Sequence, residues 1–300
     1  MLDKFKNKAV AVISSRHVAG PDLKDALLIR DWAETRDVGT VISPWIGSLD
    51  SPRQVLQLYS DAISAVQPNH LGSHVAIKLS ALGYDYGLFE ELLGIARSKK
   101  VKLQIDSLEH ESAAKTHALI EKASATYRNI GCTLPSRWLR SASDAERAAE
   151  LRIHARVVKG QWHDPTSPKI DPRANFLTIV SKLAKRGADV SIGTHDYPLA
   201  DKALEILAES DARFELAQFF SLPLNGFDLS RKYKCPYLIY IAYRSPYMPY
   251  NWHFFLSRPS MMAWLIRDFT IPRPRPWNSH GREPFGYVPL NIAKDVHIKS

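Results

Sequence analysis

Cysteine is nearly missing from this chain. Cys132 and Cys235 are the two thiols in 300 residues, which excludes a disulfide framework, and no CxxC pair exists to hold a structural zinc. Such usage fits a reducing cytoplasm. No run approaches the roughly 18 apolar residues that cross a bilayer, so no transmembrane helix is expected. Residues 1–6 lack the apolar core of a signal peptide. The phosphate-binding and nucleophile motifs are absent as well: no GxGxxG follows the first apolar run, and there is no GxxxxGK[ST] and no GxSxG. His110, His154, His163 and His195 share no ligand spacing, and HxH and HExxH do not occur, so no metal is expected. No long Lys/Arg run carries the net charge of +9; the basic residues are spread along the chain. That balance suits solubility or an anionic ligand more than nucleic acid. A cytoplasmic protein is expected, with a peripheral place at a membrane surface open to so basic a chain.

What is present is alternation. Eight short runs rich in Val, Ile and aromatics read as strands: Gly39–Ser43, His74–Ser80, Val101–Asp106, a weak run around Gly131–Leu134, Ile153–Val158, Asp189–Thr194, Arg213–Phe219 and Pro236–Ile241. Between them lie helical spacings at Ser51–Val66, Leu88–Ala96, Ser112–Ala125, Asp144–Leu151, Asn175–Lys185 and Leu199–Glu209, with a further one at Trp252–Asp268 broken or kinked at Pro259. Ser51 followed by Pro52 is a helix-start signal. Eight strand–helix units predict a (β/α)₈ TIM-type barrel, of the α/β class, rather than an open doubly wound sheet. The barrel is expected over residues 1–270. Residues 271–300, broken by Pro272, Pro274, Pro276, Pro284 and Pro289, are expected to form an irregular Pro-rich extension.

In such a barrel, polar residues at the C-terminal ends of strands build the site. Lys78 ends the second strand and Asp106 the third. Arg156 and Lys159 frame the fifth, Thr194, His195 and Asp196 end the sixth, Glu215 and Gln218 lie in the seventh, and Tyr240 lies in the eighth. Each has an ordinary structural use: a solvated lysine, a helix-capping aspartate, a hydrogen-bonded core histidine, a core tyrosine. Arg156 is the hardest to dismiss, because a guanidinium in an apolar strand needs an anionic partner or a ligand. Recurrence of polar groups at equivalent places points to a cationic pocket with a few carboxylates, suited to an anionic dinucleotide.

The order of motifs resembles the proline dehydrogenase family, whose members are FAD-dependent (β/α)₈ barrels. Ile77-Lys78-Leu79-Ser80-Ala81-Leu82 resembles its K-L-S-A-L, and Arg156-Val157-Val158-Lys159-Gly160-Gln161-Trp162 its R-L-V-K-G-A-Y. Ser167-Pro168-Lys169-Ile170-Asp171, Gly193-Thr194-His195-Asp196, Phe214-Glu215, Tyr240-Ile241-Ala242-Tyr243 and Phe255-Leu256-Ser257-Arg258 resemble later family segments in the correct order. The resemblance implies oxidation of proline or a proline-like cyclic amine to a pyrroline by hydride transfer to FAD. The electron acceptor is left open, with a quinone and oxygen among the candidates. It places Arg156, Val158, Lys159, Gly160, Trp162, Lys169, Thr194, His195, Asp196 and Glu215 at the cofactor, and Lys78, Asp106, Tyr240 and Arg258 at the reacting end. Arg156 would stabilise the electron-rich reduced ring, and Trp162 could stack on a flat ring.

The chain departs from the family in several places. Its fourth-strand Gln corresponds to Leu134 or Pro135. The Gln of F-E-F-Q falls on Ala217 unless a one-residue shift brings in Gln218. The Arg-Arg pair that grips the proline carboxylate is reduced to Arg258 followed by Pro259, and the Glu beyond it becomes Met262. A carboxyl-modified or carrier-tethered prolyl group would suit the weakened grip. Two other readings stay open: a non-catalytic relative that has lost flavin, and a basic barrel that binds RNA or a membrane through its Pro/Arg-rich tail, where aromatic and basic residues interleave at Arg273–Trp277.

Overall fold

The computed structural model describes residues 18–244, apart from Ser48, Gln67, His70, Leu108, Ser221 and Pro223. The expected helix at Trp252–Asp268, Arg258, Arg273–Trp277 and the Pro-rich extension lie outside the described residues.

Eight parallel strands close into a barrel, each hydrogen-bonded to its sequence neighbour and the last to the first. They are β1 (Gly39–Pro44), β2 (His74–Ile77), β3 (Leu103–Ile105), β4 (Ile130–Pro135), β5 (His154–Val158), β6 (Asp189–Gly193), β7 (Arg213–Phe219) and β8 (Tyr237–Tyr243). The helices are α1 (Leu23–Glu34), α2 (Pro52–Ala65), α3 (Tyr86–Lys99), α4 (Ala113–Ser124), α5 (Ser141–Leu151), α6 (Pro172–Lys185), α7 (Tyr197–Ala208) and the short α8 (Phe227–Lys232). The expected (β/α)₈ fold is the one observed. Among the described residues no helix is long and apolar enough to cross a membrane.

Three elements differ in kind from the sequence expectation, one of them the short α8, which no helical spacing announces. The second strand stops at Ile77, and Leu79–Leu82 turn into a 3₁₀ helix ended by Gly83 in the left-handed region, φ 66°. The turn carries Lys78 out of the sheet ladder at the strand's end. Helix α1 has no counterpart in the sequence expectation, because its apolar positions are interleaved with charge: Lys24, Asp25, Arg30, Asp31 and Glu34. It forms through a capping box between Asp22 and Asp25, and it buries Ala26, Ile29 and Ala33. The weak fourth run is a full six-residue strand, buried throughout.

The main core lies between barrel and helices, where Phe89, Phe176, Tyr59 and the outward residues of each strand pack. Inside the barrel a smaller apolar cluster joins Val41, Ala76, Ala217 and Leu238, with Tyr240 against it. Because side chains alternate along a strand, these residues set the inward register of β1, β2, β7 and β8. The interior facing β3 to β6 is polar instead, with Gln104, Thr133, Arg156 and Ser191 all buried. Half of the barrel lumen is thus filled by groups that must find partners, which is where the site sits.

The start signal at α2 is realised. The Ser51 side chain accepts from the Gln54 amide and the Gln54 side chain accepts from the Ser51 amide. Ser51→Ala is expected to cost about 1 kcal/mol of stability, read from urea unfolding at unchanged slope.

Candidate active site

Asp106 is the hub of the C-terminal mouth. It follows β3 directly, and its amide donates to the Ile77 carbonyl at 2.8 Å. Its carboxylate takes an ion pair and hydrogen bond from the Arg156 guanidinium, a 2.7 Å hydrogen bond from the Tyr240 hydroxyl, and a 3.4 Å contact from the Thr133 hydroxyl. The Lys78 ammonium stands 3.9 Å away. Four strands besides β3 therefore converge on one carboxylate. Arg156 is 7% exposed, also donates to Thr133 at 3.2 Å, and lies 5.1 Å from the centre of the Tyr240 ring.

The electrostatics follow from this packing. Burial pushes the Lys78 ammonium below its ordinary range and the nearby Arg156 adds to that, while Asp106 opposes both. Burial, reinforced by Asp106, pushes the Tyr240 phenol well up, so Tyr240 stays protonated and donates. Lys78, Arg156 and Asp106 sum to a formal excess of one positive charge. Arg156 Nε is buried with no hydrogen-bond partner among the described residues. Beside it the backbone of Gly193 is closely packed: a Cβ there would stand 2.8 Å from Val158 and 3.7 Å from the Arg156 stem, so the position requires glycine.

A second cationic group lies at the ends of β5 and β6. Lys159 Nζ donates to Asp196 at 3.1 Å, and Arg173 pairs with the same carboxylate. Burial would raise the Asp196 carboxyl, but these two cations outweigh it and hold it low. Asp196 caps α7 through the Leu199 amide, and its own amide donates to the Thr194 hydroxyl. Gly160 has φ 79°, and a Cβ there would meet Pro135 at 2.7 Å, so the V-K-G turn requires glycine twice over. Val158, Lys159 and Gly160 are tied through their carbonyls to Ser136 and Arg137 of the β4 loop.

The structure distributes the sequence candidates unevenly. Lys78, Asp106, Arg156 and Tyr240 come together, and Lys159, Thr194 and Asp196 form the neighbouring group. His195 accepts the Phe219 amide on Nε2 at 2.8 Å, which places the proton of a neutral ring on Nδ1. Trp162 is half-buried, its carbonyl accepting from the Trp138 indole at 3.2 Å. Lys169 is exposed and lines an open notch of about 520 Å³ with Leu139, Pro168 and Ile170. Glu215 is a correction. It points into the barrel, but at the opposite end, 3.7 Å from Lys102 and 3.5 Å from His154, at the starts of β3 and β5. A glutamate two residues into its strand cannot also reach the C-terminal mouth.

The alternatives left by the sequence are decided by side-chain direction. Thr133 faces inward, so Leu134 faces the outer core and Pro135 is the inward residue at the family's Gln position. Ala217 lies in the barrel interior, whereas Gln218 is held on the other face by Thr194, Asn225, Gly226 and Tyr237. Gln218 is therefore not a shifted stand-in for the family's Gln.

Three further participants carry no sequence signal of their own. Thr133 sits in an unremarkable run and shows its role only when β4 is registered against Arg156 of β5. Tyr59 of α2 accepts the Lys78 amide at 3.0 Å and fixes the strand end. Asp164, buried, accepts from the Leu139 and Thr166 amides and stands 3.4 Å from His110, joining the loops after β3, β4 and β5. Both cysteines are buried, and burial pushes each thiol up to about 12, so neither is poised as a thiolate nucleophile.

A closed (β/α)₈ barrel with a buried ionic cluster at the C-terminal ends of its strands has the build of a barrel enzyme. No protein-family profile matches the chain. It is 21% identical over 250 residues to proline dehydrogenase 2 of Bacillus subtilis strain 168, covering 76% of this chain and 80% of that protein. It is 22% identical over 267 residues to the proline dehydrogenase of Deinococcus radiodurans, covering 82% and 84%. Among solved structures, proline utilization A from Bdellovibrio bacteriovorus superposes with a TM-score of 0.67 at 12% identity, over 87% of this chain. That from Bradyrhizobium japonicum gives 0.62 at 15% identity over 84%. The chain spans about a third of the length of these two structures, which share its fold. The chain is a divergent relative of the proline dehydrogenases.

Proposed function

We propose that this protein is an FAD-dependent oxidoreductase that converts proline, or a proline-like cyclic amine, to the corresponding pyrroline. The observation that carries the reading is Arg156: a buried guanidinium at the mouth of the barrel, with Nε left without a partner among the described residues. A flavin ring presents acceptor atoms along one edge, and an orphaned buried donor is the kind of group such an edge satisfies. Lys159 and Arg173 share one carboxylate, Asp196, and would hold the cofactor's diphosphate beside the α7 N-terminus. When bound, FAD supplies the acceptor for a hydride from the carbon beside the amine nitrogen.

The chain's own residues prepare that step. An amine releases hydride only once it has lost its extra proton. Lys78 Nζ, depressed by burial, can take that proton while Asp106 steadies the charge that results. Asp106 in turn keeps Arg156 and Tyr240 in place, and the Tyr240 ring, stacked 5.5 Å from Phe219, would form one wall for the bound amine. The family's paired arginines are represented in the sequence by Arg258 and Pro259, which favours a substrate whose carboxyl group is blocked or tethered.

The reading is tested by the absorbance spectrum of the purified protein and mass analysis of any released cofactor. A colourless protein that takes up no added FAD would end it. Lys78→Met is expected to lower turnover by roughly 10²-fold with flavin content unchanged. Unaltered turnover would make Lys78 a salt-bridge partner only. The second reading, a relative that has lost flavin, is favoured by Pro135, which brings no side-chain hydrogen-bonding group to the inward position where the family has Gln. The same spectrum separates the two.

A further inference from the structure

The N-terminal end of the barrel holds a third cationic group, apart from the two at the mouth. β5 runs from His154 at the floor to Val158 at the mouth, a separation of about 13 Å at strand rise. A hollow of about 330 Å³ opens at the floor, lined by Lys102, Arg128, Arg152, Arg213, His154 and Asp189 among others. The cations occupy equivalent places in the fold. Lys102 immediately precedes β3, Arg128 and Arg152 stand two residues before β4 and β5, and Arg213 opens β7. Four separate αβ connections therefore deliver positive charge to one hollow, and Asp189 is the one carboxylate of its lining.

The carboxylates nearby do not balance these cations. Arg213 reaches Asp189 at 3.3 Å, and Lys102 reaches Glu215 at 3.7 Å. His154, 4% exposed, stands between the same two carboxylates, 3.3 Å from Asp189 and 3.5 Å from Glu215. Arg128 donates from one nitrogen to the Leu151 carbonyl. Arg152 is exposed and ends α5 in the left-handed region at φ 53°, where glycine or asparagine is the favoured residue. An arginine held in that conformation beside three further cations runs against both backbone preference and Coulomb repulsion. An anion in the hollow removes the second conflict.

We propose that the floor of the barrel binds a small phosphate-type oxyanion through Lys102, Arg128, Arg152 and Arg213. The hollow lies at the lower end of the range of small-ligand sites, about 300–1,000 Å³, which suits a phosphate or phosphate monoester. Guanidinium groups match the geometry of phosphate oxygens, and the Asn129 side chain lies at the rim, donating to the Lys100 carbonyl. The site is independent of the flavin reading, since none of its residues faces the mouth.

The test uses the full chain and calorimetric titration at fixed ionic strength with inorganic phosphate, with glycerol 3-phosphate, and with chloride as control. Saturable binding of phosphate or the ester, and none of chloride, is expected. Tighter binding of the ester assigns an organic phosphate, and tighter binding of the free ion assigns phosphate itself. Arg152→Gly combined with Arg213→Gln should weaken binding on the order of a hundredfold, about tenfold for each guanidinium removed. Glycine is favoured at the first position and Arg213 is exposed at the second, so the variant is expected to fold. Lys159→Ala with Arg173→Ala, at the mouth, should leave this binding intact. Absence of saturable binding to the wild type, its survival in the floor variant, or its disappearance in the mouth variant would each overturn the proposal.

Discussion

Arg156→Ala is expected to give a protein without flavin colour, and one that is measurably less stable. The two effects have one origin. The guanidinium is 7% exposed and pairs with Asp106, so removing it leaves a carboxylate at the barrel mouth with Lys78 3.9 Å away as its nearest cation. Breaking a buried pair from one side costs roughly 3–5 kcal/mol. Lost colour alone could then reflect a damaged barrel, and the double variant Arg156→Ala/Asp106→Asn separates the causes. Neutralising Asp106 removes the uncompensated charge and should recover part of the stability, while the flavin stays absent because its partner is still missing. Asp106→Asn alone should keep its flavin. The measurements are flavin-to-protein ratio after gel filtration and urea midpoints of the four proteins. Full flavin occupancy in Arg156→Ala, with unchanged reduction behaviour, would contradict the assignment outright.

The second large effect concerns substrate choice. Free L-proline is expected to reduce the enzyme poorly or not at all, whereas a proline ester or a carrier-bound prolyl group should reduce it well. Residues 258 and 259 lie outside the described part of the chain, and the expectation rests on their chemical identity. Pro259 stands where the family has a second arginine, and proline offers no hydrogen bond from its side chain or its backbone nitrogen. Removing one charge-assisted hydrogen bond to a carboxylate costs on the order of 1.5–3 kcal/mol, or about ten- to a hundredfold in affinity. Pro259→Arg should return affinity for free proline by a similar factor. Anaerobic flavin bleaching reads both results. Rapid, saturable bleaching by low concentrations of free L-proline would return this protein to ordinary proline oxidation.

Much of the architecture is legible in the sequence, because alternation of short β-branched runs with amphipathic stretches is a local property. Seven of the eight runs stand out, and the fourth, Ile130–Pro135, is weak because Gly131 and Pro135 dilute its β-formers. Helix α1 escapes for a related reason: its buried face is three small or medium residues among five charged ones. Lys78, Asp106 and Arg156 are likewise visible, since a charged residue at the end of an apolar strand or within it is conspicuous in any order of reading.

Direction is not legible. A strand packed on both faces has no polar side to betray its register, so nothing local separates Leu134 from Pro135 or Ala217 from Gln218. The closed barrel decides both, turning Pro135 and Ala217 inward and fastening Gln218 into the outer layer. Height along the barrel is hidden for the same reason. Glu215 follows Phe214 much as the family motif has it, yet only the parallel register against β6 and β8 shows that it belongs to the floor with Lys102 and His154. The sequence by itself determined the fold class and the polar groups at the strand ends, because those depend on residue type and spacing. The tertiary structure alone decided which of those groups meet, because contacts among Lys78, Asp106, Thr133, Arg156 and Tyr240 join five different strands, and their distances exist only once the sheet has closed.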